Sequence, residues 1–203
     1  MSEAKTEPQD IEAFAIRDVT IDVVGVTPYS PSRPVREKEK SESWDDFESS
    51  VWRSKAHVED GMIYIPGAAF KLCLDEAVKN LNEKIPGKGN QTWTNVLRMG
   101  VAPISNMNLD IPLESAQVEK VYCHANGQRG PGTRVMRWFP IFHKWSGRIT
   151  FRVFNDNLTQ AKFEEFFMKA GVLAGVGRGR PSSGCPMGNG RFTPVRFTWT
   201  EVK

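Results

Sequence analysis

The residues best suited to chemistry lie in GVGRGRPSSGCPMGNGRF, Gly175–Phe192, which holds six glycines, two prolines and three arginines in eighteen positions. Glycine lets backbone N–H groups come close to a ligand. Arginine adds planar, permanently charged donors that suit phosphate. Gly177, Arg178, Gly179 and Arg180 alternate, a spacing that can aim both guanidinium groups one way while the glycines bare the amides to a phosphate. The chemistry this suggests is the cradling of an anionic polymer. The competing reading is a mobile surface loop or a tight helix exit.

Three other stretches carry cations. Pro66-Gly67 begins a helical pattern, so unsatisfied N–H groups and the positive dipole end would face an anion there, and Lys71 adds a charge one turn in. The plain alternative is a helix start with an exposed lysine. Arg33, Arg36, Lys38 and Lys40 lie close to Trp44 and Trp52, a mixture suited to single-stranded nucleic acid, with charges along the backbone and rings on the bases. Glu37, Glu39, Glu42, Asp45, Asp46 and Glu48 share that stretch and repel phosphate, which points part of it at a protein neighbour and leaves both tryptophans readable as core. Lys120, Arg129, Arg134 and Arg137 face a single acid, Glu119, in a basic arm or a solvated loop.

Other chemistries fare worse. Cys123, His124, His143 and Cys185 lack the close ligand pairs of a zinc site, so no metal or cofactor is expected. No Gly-x-x-x-x-Gly-Lys-Ser/Thr motif occurs, and the glycine loop follows a helix where a P-loop precedes one. His57 and His124 have no local partner pattern that fixes a catalytic role.

These residues need elements to hold them. Ala15–Val26 alternates as a strand with Ile16, Val19, Ile21, Val23 and Val24 inward. Three prolines in PYSPSRP open an insertion over 28–60, within which Trp44, Phe47, Val51 and Trp52 recur at helical spacing behind the cap Ser43. Met62–Ile65 reads as a short strand, Pro66 as the first residue of a helix with Phe70, Leu72, Leu74, Ala77, Val78 and Leu81 on one side. Residues 84–100 are weakly patterned, and 108–113 suggest another strand. A second insertion over 114–138 turns at Asn126–Gly132. RVMRWFPIFHKWSGRITFRVFN reads as a strand pair split at Ser146-Gly147. A second helix follows, capped by Asn157 or Thr159, with Phe163, Phe166, Phe167, Ala170, Val172 and Leu173 inward. RFTPVRFTWTEV is the last strand.

The expectation is one α+β domain over 1–203. Its ferredoxin-like, RNA-recognition-type βαββαβ core lies at about 13–27, 61–83, 105–114 and 138–203, behind a tail at 1–12. With 39% hydrophobic and 25% charged residues the chain reads as soluble. No apolar run nears the ~20 residues of a membrane span. The polar N-terminal residues and three scattered cysteines suggest a reducing cytoplasm. Net charge is only +3, yet residues 1–60 hold 8 basic against 14 acidic side chains and residues 115–203 hold 14 against 5. Such asymmetry can build a basic face for nucleic acid or pair one molecule head-to-tail with the next.

YIPGAAFK (Tyr64–Lys71) before the first helix and GVGRGRPSSG…GRF after the second together resemble the RAMP superfamily of CRISPR-associated proteins. Within it the chain is most similar to the backbone subunit that polymerises along the guide RNA, and the Gly25–Pro28 opening of the first insertion fits the same pattern. Ala68 and Ala69 replace the usual hydroxyl residues after the proline-glycine, and Leu72 replaces a glycine. The resemblance implies a modified RNA-recognition fold and insertions that grip RNA and touch neighbours; with no partner pattern at its histidines, the chain is not expected to be an enzyme. The resemblance also implies sequence-independent binding of single-stranded RNA by Gly67, Lys71, Gly177, Arg178, Gly179 and Arg180, with Arg33, Arg36, Arg129, Arg134 and Arg137 from the insertions. Partners would be copies of the chain or other CRISPR effector subunits. Two alternatives remain: a metal-independent endoribonuclease of the same superfamily, using a histidine such as His57 or His124, and a solitary protein-binding mimic of a CRISPR subunit.

Overall fold

The computed structural model describes residues 16–124, 133–183 and 187–202. A four-stranded antiparallel sheet forms the centre. Its order is β4 (Val101–Pro103), β8 (Ser146–Val153), β1 (Arg17–Gly25), β9 (Phe192–Glu201). Alternation in β1 decides which face is covered. Val19, Ile21 and Val23 are buried, and the register aligns Val19 with Phe151 and Trp199, and Ile21 with Ile149 and Phe197. Helices α2 (Gly67–Leu81) and α4 (Gln160–Leu173) contribute to this core with Phe70, Leu74, Phe163, Phe166 and Phe167, all fully buried. A close-packed set of rings joins the layers: Phe167 lies 5.7 Å from Phe151, 5.4 Å from Phe192 and 6.0 Å from Phe163.

The opposite face of the sheet is polar. Asp18 pairs with Arg152, Thr20 bonds Thr150 across the strands, and Asp22 holds both Arg148 and Arg196. The two arginines hold the Asp22 carboxyl below its ordinary pKa, Arg148 contributing most. Those three tiers present threonine, aspartate and arginine where an aromatic base-stacking platform would need rings.

Two smaller sheets carry the insertions. β2 (Val58–Glu59), β3 (Met62–Ile65) and β5 (Met107–Pro112) form one, and the hairpin of β6 (Gln117–His124) and β7 (Arg134–Ile141) forms the other. Helix α1 (Trp44–Val51) starts at Ser43, whose hydroxyl accepts the Asp46 N–H at 3.1 Å. Helix α3 (Trp93–Gly100) precedes β4. Thr159 caps α4 by accepting the Lys162 N–H.

Several expectations change. The supposed strand pair across Ser146-Gly147 does not exist: β7 pairs with β6, and β8 pairs with β1 and β4. The strand near 108–113 joins the small sheet, and three-residue β4 occupies the edge of the central one. Pro66 is the N-cap of α2, one place earlier than a first helical residue. Val24, Leu72, Val172 and Leu173 face solvent, at 44%, 65%, 55% and 50% exposure, because each falls just off the buried stripe of its element. Trp52 is core, with Arg53 lying over its ring. Among the described residues no helix is long and apolar enough to cross a membrane.

Candidate nucleic-acid interface

The loop after α4 is folded against the rest of the chain. Gly177 has φ +81°, and a Cβ there would sit 2.7 Å from the Ser30 carbonyl and from the Tyr29 ring. The glycine is therefore required by both its left-handed backbone and its neighbour. The Arg178 N–H donates to the Ser30 carbonyl at 2.7 Å, and the Asn189 N–H to the Gly179 carbonyl at 3.0 Å. Gly179, φ +72°, packs beside Met187.

This loop lines a cleft of about 470 Å³ together with Tyr29, Ser32, His57, Pro66 and Ala69. Three stretches far apart in sequence meet here: the first insertion, the start of α2, and the glycine loop. His57 stacks at a tilt on Tyr64, centroids 5.5 Å apart. Burial first and the Arg33 charge second push its pKa below 6.5, so the imidazole is neutral at pH 7. Burial raises the Tyr29 phenol well above its ordinary value, which keeps it protonated.

The two arginines of the loop diverge. Arg178 is only 13% exposed and makes an ion pair with Glu119 of β6. Its Nε donates to Ser30 Oγ at 3.1 Å, and its guanidinium lies 4.0 Å from the Phe139 ring centre. It joins the hairpin to the loop. Arg180 is 38% exposed; its Nε donates to Ser182 Oγ at 3.1 Å and its Nη1 to the Gly177 carbonyl at 3.3 Å, with Glu76 at 3.9 Å. The expected common aim of the pair is thus corrected: Arg178 has a carboxylate partner inside the fold, and Arg180 is the loop's more open cation.

The helix start also differs from expectation. The Gly67 N–H donates to Asn106 Oδ1 at 3.1 Å, and a Cβ at Gly67 would collide with the Ser105 carbonyl. Close packing against that segment accounts for the glycine, and the amide is already satisfied. Lys71 is tied to Asp75 at 2.5 Å along its own helix. Exposed Leu72 reaches the cleft in its place.

The two insertions meet in a second cleft, about 560 Å³, lined by residues 32–38, Trp44, Lys55, His124, Arg137 and Phe139 among others. Glu48, fully buried, holds it together: its carboxylate accepts Lys55 Nζ at 2.5 Å and the Trp138 N–H at 2.7 Å, and Arg137 Nε lies 2.6 Å away. Arg137 is therefore mostly inside the fold, 23% exposed, with its guanidinium 5.4 Å from the Trp44 ring centre. Arg36 forks onto Glu42 at 2.7 and 2.9 Å. Arg33 is exposed, its backbone N–H fixed to the Lys55 carbonyl, and it makes no ion pair among the described residues. Arg134 is exposed at the start of β7, and Arg129 lies outside the described residues. Lys120 sits over Trp138 at 3.7 Å. Among the described residues no three His, Cys, Asp or Glu side chains gather as metal ligands; Cys185 lies outside them.

The sheet order, the helices on one face and the hairpin-bearing insertions decide the architecture. It is similar to that of Cmr6 from Pyrococcus furiosus. The TM-score is 0.50 at 14% identity, over 89% of this chain and 99% of Cmr6. A cryo-EM structure of the Type III-B Cmr-beta bound to cognate target RNA gives a TM-score of 0.49 at 14% identity, over 92% of this chain and 61% of that one. No family model matches the sequence. No curated protein matches it either. The chain thus has a mixed α/β fold of antiparallel sheets, of the kind Cmr6 has.

The structure adds residues that sequence reasoning missed. Ser30, fully buried, donates from its hydroxyl to the Pro140 carbonyl at 2.9 Å and anchors the loop through its own carbonyl. Glu119 and Phe139 fix Arg178. The one signal was Glu119 itself, a lone acid in a basic arm, which marks a place where a cation needs a partner.

Proposed function

We propose that this chain binds single-stranded RNA without regard to sequence, as a repeating backbone subunit of a CRISPR-type ribonucleoprotein or filament in the cytoplasm. The observation that carries the reading is the cleft in which Arg180 and the glycine loop meet the start of α2 and the Tyr29–Ser32 segment. An extended phosphate chain needs a groove with a cation within reach at its rim, and Arg180, 38% exposed, is the more open of the two loop arginines here. The order β4-β8-β1-β9, with every neighbour antiparallel, supports a ferredoxin-like core of RAMP type, β4 taking the place of the second strand. The sheet face lacks an aromatic platform, which favours contacts to phosphate over contacts to bases. Partners are further copies of the chain or other effector subunits.

His57 in the same cleft favours a second reading, a metal-independent endoribonuclease, because a neutral imidazole can take a proton from a ribose hydroxyl. Binding without cleavage is the primary reading, since among the described residues the cleft lining sets no carboxylate and no second histidine beside His57, and the Tyr29 phenol there is buried. The test is purification without nuclease, followed by sizing of whatever nucleic acid comes with the protein. The expected result is RNA, lost on RNase treatment, in a ladder of lengths. Protein free of nucleic acid that also ignores added single-stranded RNA contradicts the proposal. Cleavage of labelled RNA that is lost in His57→Ala replaces it with the nuclease reading.

A further inference from the structure

The cleft between the two insertions is a separate cavity, joined to the glycine-loop cleft through Ser32, which lines both. Its walls are mixed in a particular way. Val35, Trp44 and Phe139 give it apolar surface, whereas Arg33, His124 and Arg137 supply donors around it. Among the described lining residues the one carboxylate, Glu37, is outnumbered by cations. A volume of about 560 Å³ lies within the ~300–1,000 Å³ typical of small-ligand pockets.

The cations in it are not equivalent. Arg137 and Lys55 are bound to buried Glu48, Arg36 to Glu42, and Lys38 donates to the Glu39 and Glu42 carbonyls. Arg33 is exposed and makes no ion pair among the described residues, and its backbone is pinned to the Lys55 carbonyl at 2.8 Å. It stands one residue from Ser32, so an anion leaving the glycine-loop cleft meets Arg33 next. The apolar wall then lies to be covered by something flat and poorly hydrated on its faces. Phosphate alone has no use for Trp44 and Val35; a nucleobase has.

We infer that this cleft holds one nucleotide of the bound strand, its base against Trp44 and Val35 and its phosphate on Arg33. The inference rests on the RNA-binding reading and adds to it a place where the protein grips a base as well as the backbone. The buried Glu48–Lys55–Arg137 group keeps the two walls at a fixed separation.

The experiment compares a 12-nucleotide oligouridylate with an abasic strand of the same length and phosphate count, by fluorescence anisotropy. Wild type is expected to bind the uridylate roughly 10-fold more tightly, the scale of one base stacked on protein. Trp44→Ala should reduce that preference to within about 2-fold, and Trp44→Phe should restore most of it, on the same scale. Arg33→Ala should weaken both strands alike. Val35→Trp, which fills the cleft without changing charge, carries the test if Trp44→Ala fails to fold by circular dichroism; it too should abolish the preference. Equal binding of both strands by wild type, or a preference that survives Trp44→Ala or Val35→Trp, overturns the inference while leaving RNA binding intact. Failure of wild type to bind either strand overturns both.

Discussion

Replacing Glu48 by glutamine tests the group that joins the two insertions. The carboxylate is fully buried and faces Lys55 Nζ at 2.5 Å and Arg137 Nε at 2.6 Å. Glutamine keeps the shape and removes the charge, which leaves two cations in the interior with no counter-charge. Breaking a buried ion pair in this way costs about 3–5 kcal/mol. For a domain of this size each kcal/mol moves Tm by roughly 2–4 °C, so a fall of about 6–20 °C is expected. The loss should also carry a pH signature. Burial already lowers the Lys55 pKa below 10.5, and the bond to Glu48 is the main opposing influence. Without Glu48 the folded-state value falls further. Between that value and 10.5 the unfolded chain binds more protons than the folded one, so stability rises with pH across the window. The gap between Glu48→Gln and wild type should therefore narrow as pH is raised, because the folded variant sheds the Lys55 proton first. Thermal unfolding followed by circular dichroism from pH 7 to 10 reads both effects, and hydrogen exchange over residues 134–141 localises them. A Tm within about 2 °C of wild type, or a gap that does not change with pH, would refute the reasoning.

Gly177→Ala should lower stability by at least ~1 kcal/mol, since alanine tolerates the left-handed backbone poorly and its Cβ would press on Ser30 and Tyr29; denaturant unfolding reads it. The His57 pKa, followed by NMR, should lie below 6.5 and rise toward that value in Arg33→Ala, because one of the two causes of its depression is removed. A shift downward would place the Arg33 charge elsewhere. Ser43→Ala should cost about 1 kcal/mol through loss of the cap on α1, measured by the same unfolding.

The sequence showed the strands and helices that bury long periodic stripes. β1, α2, α4 and β9 carry repeated large apolar residues at the right spacing, and Ser43 and Thr159 have the hydroxyls their capping roles need. It did not show α3 and β4, which span eight and three residues and bury too few side chains to make a period. Pairing partners were also hidden: the apolar runs on either side of Ser146-Gly147 look like one hairpin, but their neighbours are set by long-range register. At the site, the glycine loop and the helix start were visible as motifs, and the structure brings both to one cleft. The partners of Arg178, Arg137, Arg36 and Lys71 were not visible. A charge written in a sequence looks available until the fold supplies its counter-ion, and Glu119, Glu48, Glu42 and Asp75 do so here. Glu48 and Glu42 neutralise cations of the chain itself, so they oppose phosphate less than their number suggests.

The central claim is RNA held at the glycine-loop cleft, and the most direct measurement is anisotropy titration of single-stranded RNA against salt, for wild type and Arg180→Gln. Arg180 is the loop cation that remains partly open, and its replacement leaves the Arg178–Glu119 link untouched. The account predicts affinity that falls steeply with salt in wild type, and a variant with weaker binding and a log–log slope shallower by about 0.7. Wild type without measurable RNA affinity, or a variant with unchanged affinity and slope, would contradict it.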